Sequence, residues 1–209
     1  MSAPSKTSKA VRAPVRGEIP QTRPYHHGNL RASLLQAADA LLAERGMQAF
    51  TLREVARTAG VSHGAPYHHF AGLDELLAAV AERGFTILGD AMEAAVAVPD
   101  TRERLLRVAQ AYVACARAHP SRFRLMFGPM LASKDEHPAL RDAAQRAFSF
   151  VLAAANAHDR KHGASLALAG WSLAHGLSHL IIDGAFEGLP MKKQNPDTLA
   201  RELSERMFG

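Results

Sequence analysis

The sequence predicts an all-α fold in which an N-terminal three-helix bundle with a helix-turn-helix is joined to a larger helical domain. Apolar residues recur three and four positions apart in segment after segment, these segments end at glycine or proline, and no alternating pattern of strand-forming residues persists. The pattern amounts to about nine helices without an internal repeat. The 209 residues are 47% hydrophobic and 22% charged, which is ordinary for a globular protein and excludes disorder throughout.

Three short helices are predicted in the N-terminal part of the chain. Thr51 is expected to cap the second, which ends at Gly60, and Ser62 to cap the third, which ends at Phe70. The first begins at Asn29 and ends before Gly46, and its apolar residues follow the helical period at Leu30, Leu34, Leu35, Ala38, Leu41 and Leu42.

Six further helices are predicted to form the remainder. Small residues recur in the fifth of them at Gly163, Ala167, Gly170 and Ala174. Because a mid-helix glycine costs about 1 kcal/mol relative to alanine, we expect another helix to pack closely there. The six run from about 73 to 98, 102 to 118, 121 to 131, 138 to 159, 163 to 186 and 196 to 207.

No segment is predicted to be exported or to cross a membrane. A span needs about 18 uninterrupted apolar residues, and the nearest run, 164–182, is broken by serines and histidines. The first 24 residues lack the apolar stretch of a secretory signal. The single cysteine, Cys115, cannot form an internal disulfide and is expected to be a buried free thiol. We therefore expect a cytoplasmic protein.

The excess positive charge is confined to the N-terminal third. Residues 1–24 carry a net charge of +4, residues 25–72 carry +1 and residues 73–209 carry 0. We divide the chain accordingly into a disordered basic arm (1–24), a helix-turn-helix domain (25–72) and a larger helical domain (73–209). A neutral body with a positive end is typical of a protein that meets a polyanion there, although a solvated tail explains the arm's charge equally well.

The segment 51–70 has the features of a helix-turn-helix. Val55 and Ala56 are expected to face inward, and Gly60 allows the left-handed turn between the two helices. The second helix carries little aliphatic bulk, which suits an element that enters the major groove of DNA, although a plain helical hairpin is the alternative. Its expected exposed residues have hydrogen-bonding tips or are small: His63, Gly64, Ala65, Tyr67 and His68.

The stretch from about Asn29 to Leu77 resembles the DNA-binding domain of the tetracycline-repressor (TetR) family. The resemblance implies a DNA-binding transcriptional regulator, specifically a repressor. It would bind a near-palindromic operator as a homodimer and be released by a small-molecule effector held in residues 73–209. The matching residues are Thr51, Gly60-Val61-Ser62, Tyr67-His68-His69-Phe70 and Asp74-Glu75-Leu76.

The resemblance also implies roles for individual residues. Arg53 matches a position that reaches a base or a phosphate, and an arginine there can contact guanine O6 and N7 together. Positions 63 to 65 would face base edges, and Tyr67 and His69 would contact phosphates. The implied DNA-binding set is Thr51, Arg53, Ser62, His63, Gly64, Ala65, Tyr67, His68 and His69.

Two residues depart from the family pattern. Leu73 stands where the family usually has a lysine that grips a phosphate, so that contact is in doubt, and the basic arm is our hypothesised replacement. Pro66 occupies a position that is commonly aliphatic. Proline is tolerated there because the first N–H groups of a helix have no partner within it.

The larger domain resembles the ligand-binding domain of a TetR subgroup named for a Trp-His-Gly signature, here Trp171, His175 and Gly176. The segments 25–30 (YHHGNL) and 119–127 (HPSRFRLMF) are also similar to that subgroup. The resemblance implies an effector pocket between the helices of 73–186 and a dimer bundle within 139–209, formed by the last two helices. The pocket candidates are Tyr112, Phe123, Arg124, Met126, Phe127, Met130, Trp171, His175 and His179.

Two other functions stay open. His175, His179 and Asp183 follow one another at four-residue spacing, so a helical enzyme or metal-binding protein that uses this stripe is the alternative. A DNA-coating protein without sequence preference is the third possibility. Because the chain has no Gly-x-Ser-x-Gly, phosphate loop or HExxH, we expect no enzyme activity, cofactor or metal. The sequence does not identify the effector, the operator, the sign of regulation or a role for Cys115.

Overall fold

The computed structural model describes residues 30–46, 50–131 and 136–208, apart from the side chains of residues 130, 191 and 192. These residues contain no strand, and the all-α fold class is confirmed. Three 3-10 helices lie wholly within them, at Ala65–His68, Pro129–Leu131 and Pro190–Lys193. The eight α-helices are α1 (Leu30–Arg45), α2 (Leu52–Thr58), α3 (Leu73–Ala95), α4 (Thr101–Ala118), α5 (Pro120–Phe127), α6 (Pro138–His158), α7 (Gly163–Ile182) and α8 (Pro196–Phe208).

Local sequence signals fix both ends of α2, as predicted. Thr51 Oγ1 accepts a hydrogen bond from the backbone N–H of Glu54 at 3.2 Å and caps the start of the helix. Gly60 has a φ of +69°, in the left-handed region. The N–H of Val61 then donates to the carbonyl oxygen of Ala56 at 3.0 Å, which completes a Schellman motif and turns the chain.

The third predicted helix is a four-residue 3-10 helix that begins at Ala65, so the predicted start at Ser62 is wrong. No side chain caps it, and the backbone oxygen of Ser62 accepts from the Ala65 N–H at 3.0 Å. Pro66 contributes no N–H to this turn, but its own oxygen accepts from His69 and Phe70 at 2.9 Å. The element therefore presents one tight turn rather than a long helical face.

Two longer helices end earlier than predicted, at Ala95 and Ile182. Proline at position 99 disfavours helical conformation in the residue before it, which limits α3. Gly184 has a φ of +70°, and the N–H of Ala185 donates to the Leu180 oxygen at 2.9 Å, so α7 ends in a second Schellman motif.

The body is built around α3 and α4. α3 packs against α4, α5 and α6, while α4 also packs against α7 and α8. The small residues of α7 permit the close packing that the sequence predicted. A Cβ on Gly170 would lie 2.9 Å from the Phe208 ring of α8, and one on Gly163 would overlap Asn156 of α6.

α7 is long and apolar enough, judged by length and composition alone, to cross a membrane. Its serines and histidines interrupt the apolar run but lower the mean hydropathy less than charged residues would. One such helix is weak evidence for a membrane span, since helices of soluble proteins can have the same composition.

Candidate nucleic-acid interface and body cavity

The helix-turn-helix presents a small polar tip to solvent. Tyr67 is 62% exposed, and His63 and His68 are exposed beside it. Val55 and Phe70 lie beneath them, at 0% and 1% exposure, and anchor α2 and the 3-10 helix to the core of the domain. The tip therefore combines accessible hydrogen-bonding side chains with a rigid base.

Two of the predicted DNA-binding residues are less accessible than expected. Ala65 is only 9% exposed, because the first turn of the 3-10 helix packs against α2, so the expectation that its methyl group is exposed is wrong. His69 is half-buried. The other predicted positions, Thr51, Ser62 and Gly64 among them, are exposed.

Arg53 carries the available positive charge of α2. Its neighbour Arg57 donates two hydrogen bonds to Glu54, at 3.1 and 2.9 Å, and Arg45 lies 3.7 Å from the same carboxylate. The hydrogen bond from Arg57 holds the pKa of Glu54 below its usual value. Arg53 is exposed and forms no ion pair within the part of the chain described here. It is thus the arginine of this motif that an anion can most readily engage.

The start of α3 is fixed by contacts within the protein. The Glu75 carboxylate accepts a hydrogen bond from the N–H of Ala71, just before the helix. Leu73, which replaces the family's usual lysine, is half-buried at the first helical position. The Leu73 side chain has no charge or hydrogen-bond donor, so it cannot form the phosphate contact that a lysine would form.

A cavity of about 300 Å³ lies in the body between α3, α4, α5, α6 and α7. Among its lining residues, the side-chain polar atoms are the Tyr112 hydroxyl and the Trp171 indole N–H, and none carries a formal charge. The lining residues are Phe85, Leu88, Met92, Tyr112, Phe127, Ala144, Ala147, Phe148, Val151 and Trp171.

A short hydrogen-bonded chain defines the polar side of the cavity. Trp171 Nε1–H donates to the Tyr112 hydroxyl oxygen at 3.2 Å, and that hydroxyl lies 2.8 Å from His175 Nδ1. Because an indole can only donate, the Tyr112 hydroxyl oxygen accepts from Trp171, and the hydrogen of the Tyr112–His175 bond comes from either partner, according to the tautomer of His175. Burial raises the pKa of Tyr112, and burial followed by repulsion from His179 lowers the pKa of His175. The side chains of Trp171, Tyr112 and His175 are therefore all uncharged near pH 7.

Some of the predicted pocket residues line the cavity, and others pack against the residues that line it. Tyr112, Phe127 and Trp171 line the cavity as predicted. His175 lies behind Tyr112 and packs against Phe127, with a ring-centroid distance of 4.7 Å. The two remaining core candidates, Phe123 and Met126, are 1% and 2% exposed and do not line it.

Arg124 does not line this cavity. Its side chain is 47% exposed and donates to Asp183 at 2.6 Å and to the Ile182 carbonyl oxygen at 2.8 Å, at the end of α7. Its position on the helix turns it away from the neighbouring Phe123. The side chain of Met130 lies outside the described residues.

The histidine stripe on α7 is used in structural contacts. His179 Nδ1 lies 3.6 Å from Asp183, which is also held by Arg124, and these two partners lower the pKa of Asp183. His175 is bound to Tyr112. Within residues 30–46, 50–131 and 136–208, no group of three or more His, Cys, Asp or Glu side chains is placed to hold a metal ion.

Sequence reasoning missed the cavity walls contributed by α3 and α6. Phe85, Leu88 and Met92 follow the helical period and are indistinguishable by sequence from core residues. The available signal was the pair of small residues on α6, Ala144 and Ala147, which leaves space opposite the large side chains. Such a gap is visible only once α3 and α6 are known to face each other.

An ion-pair cluster links α1 of the helix-turn-helix domain to the body. Asp39 accepts a hydrogen bond from Arg122 Nε at 2.9 Å, and its carboxylate also lies 2.8 Å from Arg122 Nη2 and 3.3 Å from Arg83 Nη1. Arg122 is 11% exposed, and its Nη1 is buried without a hydrogen-bond partner among the described residues. α5 and α3 thus both contact the helix that supports the DNA-facing motif.

Two family sequence profiles match the chain. One, described as bacterial regulatory proteins of the tetR family, matches residues 34–80, and the other, described as a tetracyclin repressor-like C-terminal domain, matches residues 105–207. The chain belongs to the TetR family. The family is one of DNA-binding regulators rather than enzymes, and its usual fold has the N-terminal helix-turn-helix and helical C-terminal domain found in this structure.

Known proteins resemble this TetR chain to different extents. A structure of a protein of unknown function from Rhodococcus sp. RHA1 has a TM-score of 0.73 and 32% identity, covering 90% of this chain and 97% of that one. The TetR regulator PfmR from Thermus thermophilus, with a TM-score of 0.60 and 21% identity over 84% and 96% of the chains, shows the shared fold alone.

The match to a curated TetR relative covers a short segment. The HTH-type transcriptional repressor KstR2 of Mycobacterium tuberculosis is 47% identical over 47 residues, which is 22% of this chain and 24% of KstR2. The match therefore spans about a quarter of that relative. It supports the family but not a shared effector.

Proposed function

We propose that this TetR protein is a homodimeric repressor that binds a near-palindromic DNA operator and leaves it when a small molecule fills the body cavity. This proposal rests on the exposed tip of the helix-turn-helix. Tyr67 and His68 project from a rigid turn, and Arg53 stands nearby without an ion pair among the described residues. Such groups hydrogen-bond to phosphates and base edges.

A second subunit is proposed to bind along α7. This helix has no Asp, Glu, Lys or Arg, and every fourth residue on one side is exposed, with Leu168 and Leu180 at 56% and 48% exposure. A Cβ on Gly176 would contact nothing within 4 Å in this subunit, so the glycine suits the close approach of another helix. The stripe consists of Ala164, Leu168, Ser172, Gly176 and Leu180.

α8 is a weaker candidate for this interface than the sequence suggested. Its Arg201 binds Glu103 of α4 at 3.0 Å, and its buried Ala200 and Phe208 face the same subunit. The proposed dimer bundle therefore uses α7, with the exposed side of α6 beside it.

The effector would act by selecting one arrangement of the two DNA-binding domains. Two copies of the tip must lie about 34 Å apart, or a related spacing, to enter successive major grooves. An effector that favours an unsuitable spacing by about 3 kcal/mol would lower operator occupancy roughly a hundredfold. The cavity is suited to this role because Phe127 of α5 and Phe85 of α3 line it, and both helices also contact Asp39 of α1.

The finer assignments form part of the same proposal. Trp171 and His175 meet at Tyr112 and Gly176 lies on the α7 stripe, which supports membership of the Trp-His-Gly subgroup. We place the DNA-binding domain at 25–72 and the effector and dimer domain at 73–209, in a cytoplasmic protein. The proposed arm (1–24) and the segment 25–29 lie outside the described residues.

The DNA-binding proposal is tested with an operator selected from a random duplex pool. The double variant Tyr67→Ala/His68→Ala and the single variant Arg53→Ala should bind the selected duplex at least tenfold more weakly in fluorescence anisotropy. Arg160→Ala, which removes an exposed arginine from the body, is the matched control and should bind normally. Full binding by the double variant would refute the assignment, and selection without any enriched sequence would instead indicate a DNA-coating protein.

The dimer is tested separately by analytical ultracentrifugation. Leu168→Glu places a charge on the α7 stripe and should produce monomers, because the carboxylate would be buried against a second copy. Leu189→Glu is the control, since Leu189 is similarly exposed at 46% but lies outside α7. A Leu168→Glu protein that remains dimeric would contradict the proposed interface.

A further inference from the structure

The cavity walls restrict the chemistry of their occupant. We infer that the effector is an uncharged, mainly hydrocarbon molecule of about a dozen non-hydrogen atoms with one hydroxyl group that hydrogen-bonds to the Tyr112 hydroxyl. This inference rests on the proposed role of the cavity as the effector site. It is argued from the charge, the hydrogen-bonding capacity and the volume of that site.

Charge is the first restriction. None of the ten lining residues is ionisable near pH 7, since Tyr112 is the one acid among them and its burial keeps it protonated. The nearest α6 arginine, Arg146, is 39% exposed and already binds Asp90 and Glu93, at 2.7 and 2.6 Å. A carboxylate or ammonium group in the cavity would lose its hydration without gaining a counter-charge. Neutral molecules are therefore favoured.

Hydrogen-bonding capacity is the second restriction. The Trp171 N–H donates to the Tyr112 oxygen and uses one of its two lone pairs, and the bond to His175 uses either the Tyr112 proton or the second lone pair. Tyr112 therefore retains one hydrogen-bonding site, which is a lone pair if it donates to His175 and a proton if His175 donates to it. A hydroxyl group on the occupant can donate to the first or accept from the second, so an alcohol satisfies either arrangement.

Volume is the third restriction. An engineered protein cavity of about 150 Å³ holds one benzene molecule, so the 300 Å³ found here accommodates roughly twice that amount of hydrocarbon. Met92 at one wall is flexible and can adjust to the shape of the ligand. Primary alcohols of about ten carbons fit these limits and serve as probes.

Trp171 provides a direct signal of binding. It is the single tryptophan of the chain and lines the cavity, so its emission reports occupancy without any involvement of DNA. Titration of the full-length protein with 1-decanol should change this emission saturably. Decanoate and decylammonium should bind at least tenfold more weakly.

Two kinds of variant complete the test. Ala144→Phe and Val151→Phe each fill part of the cavity and should weaken decanol binding at least tenfold, while Ala94→Leu, on the exposed side of α3, should leave it unchanged. Circular dichroism identifies any filling variant that fails to fold, and the other then decides. Tyr112→Phe should weaken the binding of decanol about fivefold and leave the binding of decane unchanged, which loss of packing alone would not do.

The outcomes separate this inference from the proposed function. Decanoate binding as tightly as decanol, or decanol binding that survives both cavity-filling substitutions, would overturn the inference. Neither result bears on operator binding, which is measured by anisotropy. Conversely, decanol binding with the expected selectivity in a protein that recognises no operator would support the ligand class and refute the proposed function.

Discussion

Replacing Asp39 by alanine should destabilise the protein far more than its single charge suggests. Asp39 is 15% exposed and forms an ion pair with Arg122, accepting a hydrogen bond from its Nε, and the Arg122 side chain is itself only 11% exposed. The third guanidinium nitrogen, Nη1, already lacks a partner among the described residues. Asp39→Ala would therefore leave a largely buried cation without a carboxylate.

The expected magnitude follows from this burial. Removing one partner of a buried ion pair typically costs about 3–5 kcal/mol, and the partial exposure of both side chains here favours the lower end, about 3 kcal/mol. For a chain of this length, such a loss lowers Tm by roughly 6–12 °C. Thermal unfolding followed by circular dichroism, at one fixed protein concentration, measures it.

Two comparisons make the measurement specific. Arg146→Ala removes an ion pair between α6 and α3, but its partners Asp90 and Glu93 are more than 60% exposed, so the loss should stay below about 1 kcal/mol. Adding Arg122→Met to Asp39→Ala replaces the unpaired cation by an apolar side chain and should restore most of the lost stability. An Asp39→Ala protein no less stable than Arg146→Ala would refute the reasoning.

Three further predictions concern single positions. Gly60→Ala should lower Tm by about 2–8 °C in thermal unfolding, because a φ of +69° costs a side-chain-bearing residue about 1–2 kcal/mol. Gly64→Ala, with a φ of −82°, should leave Tm unchanged. Wild-type stability should fall as pH drops below about 6.5, because the folded protein binds a proton at His175 more weakly than the unfolded protein does. His175→Gln should flatten this pH dependence in Tm measurements from pH 8 to 5. Glu103→Gln should lower Tm at pH 7, because hydrogen bonds from Arg201 and Arg107 lower the pKa of the Glu103 carboxylate to about 2 in the folded protein. The loss of Tm should become smaller as pH falls from about 4.5 to 2, and equal losses at pH 7 and pH 3 would contradict this.

The sequence predicted those features that depend on short-range rules. Thr51 caps α2 and Gly60 ends it, because a cap and a left-handed turn each involve residues within a few positions of one another. The apolar period of α1 likewise placed Leu34 and Leu41 in the core, at 0% and 2% exposure. The helix-turn-helix could therefore be located, and its exposed tip largely predicted, before the fold was known.

The features that depend on distant residues could not be predicted in the same way. The burial of Ala65 depends on its contact with α2. Arg124 is drawn to Asp183, 59 positions away, and not to the cavity. A helical period gives the inner side of a helix but not the helix opposite, so an aromatic residue such as Phe123 could not be distinguished from the cavity wall Phe127.

α5, like α3, joins the cavity to the DNA-binding domain. Phe127 lines the cavity, and Arg122, five residues earlier and about 7.5 Å along the helix, binds Asp39 of α1. A ligand that favours one position of α5 can shift DNA affinity only by its difference in affinity for the two positions. If the shift passes through Arg122, then Asp39→Ala should reduce the effect of a bound ligand on operator affinity while leaving the Trp171 binding signal intact. Equal reduction of both would mean that the ion pair maintains the cavity rather than connecting it to DNA binding.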